Sequence, residues 1–550
     1  MRAGKWIAAA CAMMAVWSSA DAAPPPQPKL VVAIAVDQFS AELFQRYRTS
    51  FSGGLRRLSD GIAFTGYQSH AATETCPGHS TILTGRHPAA TGIVANSWFD
   101  AKTGSSVYCV AVRGTADPDA RGPQNLRVPT LGEWLRQAEP QARVISISGK
   151  DRAAIMMGGH HPDAVYWWND GVGFATSSYA GPATPDVTAP ANAFNKALFA
   201  RWKANPPKLW PTDIPATCQT LVAPHMFGKL SLSGKVPPDT SLTVESGDFL
   251  RRTDFQDQLR GSPIFDPVTL DFAGQTIDRL HLGHGPATDL LAISLSSTDY
   301  VGHRYGNGGA EMCVHLAALD RALGDFLARL DSLHVPYVVA LTADHGGIDA
   351  AERASKHGIA ASRIDRVAFV KRLNDAVGKQ LGLGYETIEG DDPQQLTINV
   401  GPDETLRAKV RDAAVAWLKQ QPEVVQVYTA DQTAAAAAPA PGKPADQLTV
   451  LERFHESYDK DRSGDIQVQF LQYATLGMPR APGDAVAGHG SPWDYDRRVP
   501  ILFWWPGVSA DDRKEPVETV DIAPTLAAIA HVPAPQVDGK CLEVVAGSCR

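Results

Sequence analysis

Several short apolar runs recur along the chain and predict the buried strands of a sheet. They are Leu30–Val36, Arg143–Ser148, Leu290–Ser297, Tyr337–Ala343 and Val499–Trp504. Runs that are apolar at nearly every position are typical of parallel strands with helices on both faces. Helical stretches separate some of them, and Glu311–Leu330 repeats its apolar residues at helical spacing. This alternation predicts an α/β fold with a mostly parallel central sheet flanked by helices.

Two long segments interrupt this alternation, from about residue 158 to 285 and from about 350 to 487. Both are rich in Trp, Pro and polar residues, and we interpret them as insertions that cap one catalytic domain spanning residues 23–550. Large α/β enzymes often grow by such insertions, although length alone would suggest one domain per about 150 residues. The Ala- and Pro-rich run 434–444 is expected to be an exposed loop.

The first residues predict export. Arg2 and Lys5 precede a mostly apolar stretch from Trp6 to Trp17, and Ala20-Asp21-Ala22 fits the rule for signal cleavage. We therefore expect residues 1–22 to be a signal peptide, with cleavage near Ala22, and a secreted or periplasmic protein. The apolar stretch is too short to span a bilayer comfortably, so we expect no membrane association after cleavage.

The cysteine count permits disulfides in an exported chain, because six cysteines remain after the predicted signal. They are Cys76, Cys109, Cys218, Cys313, Cys541 and Cys549. Six cysteines allow 15 pairings, which sequence alone does not resolve. The best candidates for one pair are Cys541 and Cys549, which flank a turn-like Ala-Gly-Ser segment.

The charge balance excludes some classes of partner. The chain has 51 basic and 59 acidic residues and a net charge of −8. It therefore lacks the basic excess that proteins use to bind nucleic acid or anionic membranes. An anionic substrate would need a few placed cations or metal ions.

Polar side chains follow the ends of the predicted strands. The set consists of Asp37, Lys150, Arg152, Asp299, His303, Asp344 and His345, with His489 in a Gly-His-Gly turn before the last strand. Ligands of open α/β sheets bind beyond the carboxyl ends of the strands. We therefore expect these side chains to converge on one edge of the sheet.

Three Asp and three His of this set are suitable ligands for two zinc ions. Asp299 and His303 share a helix face if a helical turn begins at Thr298. Mixed carboxylate and imidazole ligands suit Zn²⁺, although manganese and cobalt remain open. Two ions about 4 Å apart can stabilise both the attacking and the leaving oxygen of an in-line displacement. Each residue alone is more often a cap, a turn residue or a core histidine, and the metal interpretation depends on the whole set.

A candidate nucleophile lies in the segment 73–81. Pro77 fits the first position of a helix, which places Thr75 or Cys76 at the helix cap. A helix start offers free N–H groups and a positive dipole end to a phosphate. Thr75 is the expected nucleophile, because a metal can lower the pKa of its hydroxyl. Cys76 is the alternative nucleophile, and a third possibility is that Thr75 only caps the helix.

The run Thr75–Gly85, followed by Gly92-Ile93 and Asn96, resembles the nucleophile segment of the nucleotide pyrophosphatase/phosphodiesterases, members of the alkaline phosphatase superfamily. The resemblance implies that Thr75 attacks phosphorus and that Asn96 donates a hydrogen bond to a phosphoryl oxygen. It also implies two metal ions. One is held by Asp37, Asp344 and His345 and also binds Thr75, and the other is held by Asp299, His303 and His489 on the substrate side.

The segment Ser148–Arg152 resembles the Lys-x-Arg segment of the PafA-type alkaline phosphatases. The resemblance implies that Lys150 and Arg152 bind the terminal phosphoryl oxygens. Such cations favour a monoester, with about two negative charges, over a diester, which carries one. A surface loop of mixed charge is the alternative. The same resemblance extends to Tyr166–Trp168, Ser177–Tyr179 and Ser463–Ile466.

Two other motifs are incomplete. The segment Asp459–Asp465 resembles the start of a calcium loop, but Phe470 stands where the bidentate Glu belongs, so we expect a turn there. The Cys/Ser-x-Pro-x-Arg motif of sulfatases is missing, because Pro77 directly follows Cys76 and no Arg stands at the required position.

These patterns predict a secreted, metal-dependent alkaline phosphatase with two Zn²⁺ per chain. We expect it to hydrolyse a broad range of phosphate monoesters through a phosphothreonine intermediate, with weaker action on diesters. One alternative is a phosphodiesterase or nucleotide pyrophosphatase of the same superfamily, and another is a catalytically inactive binding protein on this fold. The expected partners are small phosphate esters and not nucleic acid, and a monomer is favoured.

Overall fold

The computed structural model describes residues 27–177, 179, 184–245, 248–390, 392 and 394–549. The predicted signal peptide, its cleavage site near Ala22, and Ser178 lie outside these residues. None of the helices in the described ranges has both the length and the apolar character needed to cross a bilayer.

A central sheet organises the molecule. In the described part of the chain it has ten strands, ordered β9-β2-β8-β7-β1-β6-β3-β4-β5, and β10 also pairs with β2. The strands are β1 Leu30–Val36, β2 Ile62–Tyr67, β3 Val144–Ser148, β4 Ala164–Asn169, β5 Gly173–Thr176, β6 Asp289–Leu295, β7 Tyr337–Thr342, β8 Arg498–Trp504, β9 Asp511–Asp512 and β10 Val517–Glu518. The inner strands β7, β1, β6, β3 and β4 are all parallel. The predicted mostly parallel sheet is confirmed.

The last predicted strand runs in the opposite direction from the expected one. We predicted Val499–Trp504 as a parallel strand, but β8 is antiparallel to both β7 and β2. The chain reaches β8 from the loop that carries His489, at the edge where the parallel strands end. A strand that starts at that edge must run back across the sheet, because a parallel one would first need a crossover.

Both faces of the sheet are covered. Alternate residues of β1 point to opposite sides, so Val32, Ile34 and Val36 join one hydrophobic cluster while Val31, Ala33 and Ala35 join another. This explains why the strand is apolar at every position. The α-helices of the described residues are Ala41–Tyr47, Gly54–Ser59, Thr75–Ile82, Pro88–Thr91, Leu131–Ala138, Asp151–Gly158, Pro185–Ala204, Ala216–Gln219, Thr253–Arg260, Phe265–Leu280, Ser297–Tyr305, Ala310–Ser332, Ala351–Lys356, Arg366–Leu381, Glu404–Leu418, Ala430–Ala435, Val450–His455, Asp494–Arg497 and Ile522–Ile529.

The two segments interpreted as insertions differ in kind. The segment 158–285 contributes β4 and β5 to the central sheet, and its described remainder contains four α-helices and a short hairpin formed by His225–Phe227 and Leu230–Leu232. The segment 350–487 contains its own antiparallel sheet, formed by Ile388–Glu389, Gln395–Ile398, Ile466–Phe470 and Val424–Thr429. This second sheet has a separate hydrophobic cluster, which includes residues of the helices Arg366–Leu381 and Glu404–Leu418.

Three disulfides join the six cysteines in pairs: Cys76–Cys109, Cys218–Cys313 and Cys541–Cys549. The predicted pairing of Cys541 with Cys549 is confirmed. The alternative that Cys76 is the nucleophile is wrong for this structure, because its sulfur is bonded to Cys109 and no thiolate is available.

The segment Asp459–Asp465, which resembles the start of a calcium loop, forms a turn. Asp459 forms an ion pair with Arg127, and Asp465 lies 2.9 Å from the Arg407 Nη1 atom. These two carboxylates therefore already have protein cations as partners. The turn leads into the strand Ile466–Phe470 of the second sheet.

Candidate metal centre and nucleophile

The helix Thr75–Ile82 begins at the predicted nucleophile. Its N-cap is Glu74, not Thr75 or Cys76, and Pro77 occupies the third helical position instead of the first. The prediction was two residues out because a proline fits anywhere in the first turn, where the N–H groups have no partner inside the helix. The Cys76 N–H of this turn donates to Asn96 Oδ1 at 2.8 Å.

Gly78 lets this helix lie directly on the turn after β7. A Cβ atom at Gly78 would stand 2.0 Å from the carbonyl oxygen of Asp344, so a larger residue would force the two segments apart. His79 links them further, since its Nδ1 atom lies 2.9 Å from the Thr75 carbonyl oxygen and 3.1 Å from Asp344 Oδ2. Thr75 is thereby held next to the segment that carries Asp344 and His345.

One cluster of ligand atoms consists of Asp37, Asp344 and His345, all buried. The Nδ1–H of His345 donates to the Gly346 carbonyl at 2.8 Å. Its Nε2 atom therefore faces the carboxylates, 3.5 Å from Asp37 Oδ1 and 3.4 Å from Asp344 Oδ2. A backbone hydrogen bond that fixes the imidazole in this way is typical of histidines that bind metals.

The first cluster fits a divalent cation. Asp37 Oδ1 and His345 Nε2 are buried and have no hydrogen-bond partner among the described residues, and Asp344 Oδ2 has only the His79 Nδ1 atom, which also contacts the Thr75 carbonyl. Leaving such groups unsatisfied is costly, and a cation bound between them would satisfy all three. Burial lowers the pKa of His345 to about 3, so its ring is neutral as a metal ligand requires. Burial and the neighbouring Asp344 raise the pKa of Asp37, a repulsion that a cation would relieve.

The second cluster consists of Asp299, His303 and His489. Asp299 and His303 lie one turn apart on the helix Ser297–Tyr305, as the sequence predicted. The Nδ1–H of His303 donates to the Ala487 carbonyl at 2.9 Å, and that of His489 donates to the Thr73 carbonyl at 2.8 Å. Their Nε2 atoms lie 3.2 and 3.4 Å from Asp299 Oδ1. A backbone carbonyl thus orients each of these two imidazole rings, as it does for His345.

Lys150 joins the two clusters. Its Nζ atom lies 2.5 Å from Asp37 Oδ2 and 2.6 Å from Asp299 Oδ2, one carboxylate from each cluster. Burial alone would lower the pKa of Lys150, but Asp299 and Asp37 outweigh it and raise the pKa. The ammonium therefore stays charged at the point where the two clusters meet.

Arg152 reaches the nucleophile itself. Its Nη2 atom lies 3.4 Å from Thr75 Oγ1, and its Nη1 atom lies 3.5 Å from the Tyr108 hydroxyl. Its buried Nε atom has no hydrogen-bond partner among the described residues. The guanidinium thus has donor capacity left for an anion at Thr75.

Asn96 lies between the helix start and an open cavity. Its Oδ1 atom accepts the Cys76 N–H, and its own backbone N–H donates to Glu74 Oε2 at 2.6 Å. The side-chain nitrogen is thus the donor left for a substrate. The cavity has a volume of about 620 Å³, and its lining includes Asn96, Glu74, His303 and His489. It offers room for an organic group next to the second cluster.

Sequence reasoning missed Gln38 and Tyr108. Gln38 has a φ of 63°, unusual for a residue other than glycine. Its backbone N–H donates to Asp344 Oδ1 and its Nε2 to Asp299 Oδ1, both at 3.1 Å, so it orients one ligand of each cluster. The sequence signal that could have identified Gln38 is its position directly after Asp37, at the end of β1. Tyr108 had no such signal, because it lies far from Arg152 in sequence.

Three comparisons with known proteins agree with this geometry. Residues 31–472 match the family described as type I phosphodiesterase/nucleotide pyrophosphatase. The chain is 42% identical to alkaline phosphatase PhoK of Sphingomonas sp. over 94% of this chain and 92% of the relative. It is 40% identical to alkaline phosphatase PhoD of Zymomonas mobilis over 94% and 88% of the two chains. The crystal structure of alkaline phosphatase PafA superimposes with a TM-score of 0.80 at 28% identity, covering 95% of this chain and 99% of PafA.

Proposed function

The chain belongs to the type I phosphodiesterase/nucleotide pyrophosphatase family, within its PafA-type alkaline phosphatases, and we propose that it hydrolyses phosphate monoesters with Thr75 as nucleophile. One observation carries this proposal. Two Asp/His clusters, a lysine between them and an arginine at the Thr75 hydroxyl are assembled around one helix start. An inactive binding protein would lack one of these groups, and each of them is present.

The two clusters are the proposed sites of two divalent cations. Asp37, Asp344 and His345 would hold one and Asp299, His303 and His489 the other, with zinc favoured by the mixed oxygen and nitrogen ligands. When bound, such a pair supplies positive charge to the transferring phosphoryl group and lowers the pKa of a neighbouring hydroxyl.

The reaction proceeds in two displacements at phosphorus. In the first, the bond between Thr75 Oγ1 and phosphorus forms while the bond between phosphorus and the ester oxygen breaks. The alcohol leaves with the proton that the threonine hydroxyl has lost. In the second, water attacks the phosphothreonine, which restores the hydroxyl and releases inorganic phosphate. Lys150, Arg152 and the Asn96 side-chain nitrogen bind the non-bridging phosphoryl oxygens. They stabilise the negative charge on these oxygens during both displacements.

Replacing Lys150 and Arg152 together by Ala is expected to lower kcat/KM for a phosphate monoester by about 10²-fold or more, because two cations facing a doubly charged group are lost. A diester with the same leaving group should lose less than about 10-fold, since it carries one negative charge. The measurement is kcat/KM for both esters in the parent and the double variant. Replacing the exposed Lys371 and Arg372 by Ala provides the control, with no expected change. Equal losses on both esters would contradict monoester selectivity.

A phosphodiesterase is the second candidate function, because the matching family is described by that activity. The ratio of kcat/KM for a monoester and a diester of one leaving group separates the two functions. A ratio well above one supports the phosphatase, and a ratio below one supports the diesterase.

We also propose that the protein is exported and acts on a broad range of small phosphate esters. The cavity beside the second cluster is wide, which suits leaving groups of different shape. N-terminal sequencing of the mature protein tests the export signal, since a start directly after Ala22 is expected.

A further inference from the structure

We infer that Tyr108 is a positioning residue that holds Arg152 for the transferring phosphoryl group. This inference rests on the proposed function, because it assigns a task to Tyr108 only if Arg152 binds phosphoryl oxygens. Tyr108 ends a strand of the hairpin formed by Ser97–Asp100 and Ser105–Tyr108. It is distant from Arg152 in sequence and adjacent to it in space.

The Tyr108 hydroxyl lies between two polar groups of the helix Asp151–Gly158. It donates to Asp151 Oδ1 at 2.7 Å and accepts from Arg152 Nη1 at 3.5 Å. A hydroxyl can do both at once, because it has one donor and two acceptor lone pairs. Burial raises the pKa of Tyr108 to about 12, so the hydroxyl keeps its proton in moderately alkaline solution.

The acceptor of this hydroxyl is itself fixed. Asp151 Oδ1 also accepts the backbone N–H of Arg152 at 2.7 Å, and Asp151 Oδ2 lies 3.2 Å from Arg121 Nε. The Arg121 guanidinium lies over the Tyr108 ring, 5.5 Å from its centroid. Asp151 is thereby neutralised by Arg121, so it orients Tyr108 without forming the ion pair that would draw the Arg152 guanidinium away from Thr75.

The hairpin also ties Tyr108 to the nucleophile helix. Cys109, the residue after Tyr108, forms a disulfide with Cys76, the residue after Thr75. The Cys109 N–H donates to the Asn96 carbonyl at 2.9 Å. The disulfide thus anchors a hairpin that has Asn96 just before its first strand and Tyr108 at the end of its second. The hairpin therefore fixes the positions of the Asn96 side chain and, through Tyr108, of the Arg152 guanidinium relative to Thr75.

Without the hydroxyl, Arg152 Nη1 loses a contact that limits the motion of a long side chain, and the guanidinium spends less time at Thr75 Oγ1. Tyr108→Phe removes only one oxygen and preserves the ring beneath Arg121. We expect kcat/KM for a phosphate monoester to fall about 10-fold and the inhibition constant of inorganic phosphate to rise by a similar factor. The melting temperature and the metal content should remain those of the parent.

Tyr179→Phe is the matched control. Tyr179 packs against the same hydrophobic cluster as Tyr108, but its buried hydroxyl has no hydrogen-bond partner among the described residues. The same atom is removed from the same type of residue close by. Activity and phosphate inhibition are expected to stay within about two-fold of the parent, as for changes that break no interaction.

A double-mutant cycle decides whether Tyr108 acts through Arg152. Tyr108→Phe should cost less than about two-fold when Arg152 is already Ala, because nothing remains to be positioned. A full 10-fold loss in the Arg152→Ala background would overturn the inference, since Tyr108 would then act on its own. Unchanged kinetics of Tyr108→Phe beside an impaired Arg152→Ala chain would also overturn it and leave the proposed function standing. A fully active Arg152→Ala chain would remove the role of Arg152 and the inference together.

Discussion

Thr75→Ala is expected to abolish turnover of phosphate monoesters, with a loss in kcat on the order of 10⁴-fold or more. The hydroxyl that forms the bond to phosphorus is gone, and the structure offers no substitute, because the neighbouring Cys76 is bonded to Cys109. The six Asp and His side chains of the two clusters are untouched, so the metal content should be retained. Steady-state kinetics and elemental analysis of the same preparation measure both quantities.

Two variants make the test of Thr75 specific. Thr75→Ser retains a hydroxyl at the helix start and should keep most of the activity, and incubation with a labelled monoester should label residue 75. Ser80→Ala removes a hydroxyl from the same helix, and this hydroxyl contacts the Pro77 carbonyl at 2.7 Å and the Thr91 hydroxyl at 3.1 Å. It should stay near the parent rate. A Thr75→Ala chain that turns over at the parent rate would exclude Thr75 as the nucleophile.

Removal of the metal ions is expected to have the second largest effect. A chelator should lower the rate by several orders of magnitude, since the positive charge at the reacting group is lost. It should also destabilise the fold, because three buried carboxylates would remain close together, and only Asp37 and Asp299 contact the Lys150 ammonium. A ligand present at about 1,000 times its Kd stabilises the native state by about 4 kcal/mol, so the melting temperature should fall clearly.

Titration of metal back into the chelated protein tests the number of sites. Zn²⁺ is expected to restore activity and melting temperature with a plateau at two ions per chain. Asp344→Asn is expected to plateau at one, because it damages only the first cluster. The exposed pair Lys371 and Asp375 provides a control, and Asp375→Asn should titrate as the parent does. A chelated chain with full activity, or a plateau at zero in a folded chain, would contradict the metal centre.

The inner strands β1, β3, β6 and β7 of the central sheet could be predicted because they are apolar at most positions. The run Leu30–Val36 was predicted with its observed bounds, since both faces of β1 are buried and no polar residue blurs the signal. β4 was hidden by its position inside a segment rich in Trp and Pro. β2 was missed because it contains Thr65 and Gly66, which interrupt the apolar pattern. Its place in the sheet is fixed by pairing with β8, a long-range contact that local sequence does not encode.

The convergence of the Asp and His side chains could be predicted because the carboxyl ends of parallel strands meet at one edge. Asp37 and Asp344 follow β1 and β7, which are neighbours in the sheet. The hydrogen bonds that orient these ligands were less accessible. The Gly346, Ala487 and Thr73 carbonyls that fix the three imidazoles are backbone groups, and any residue type could provide them. Tyr108 could not be identified from the sequence either, because its contact with Arg152 depends on the position of the hairpin in the fold.

The position of His489 has a consequence for biosynthesis. This histidine follows the second sheet and meets Asp299 and the Thr73 carbonyl, whereas Asp37 comes from the first strand. A growing polypeptide therefore contains Thr75, Lys150, Arg152 and five of the six cluster residues before the second cluster can be completed. A chain truncated upstream of this loop is therefore expected to lack the complete second cluster and to show no hydrolysis.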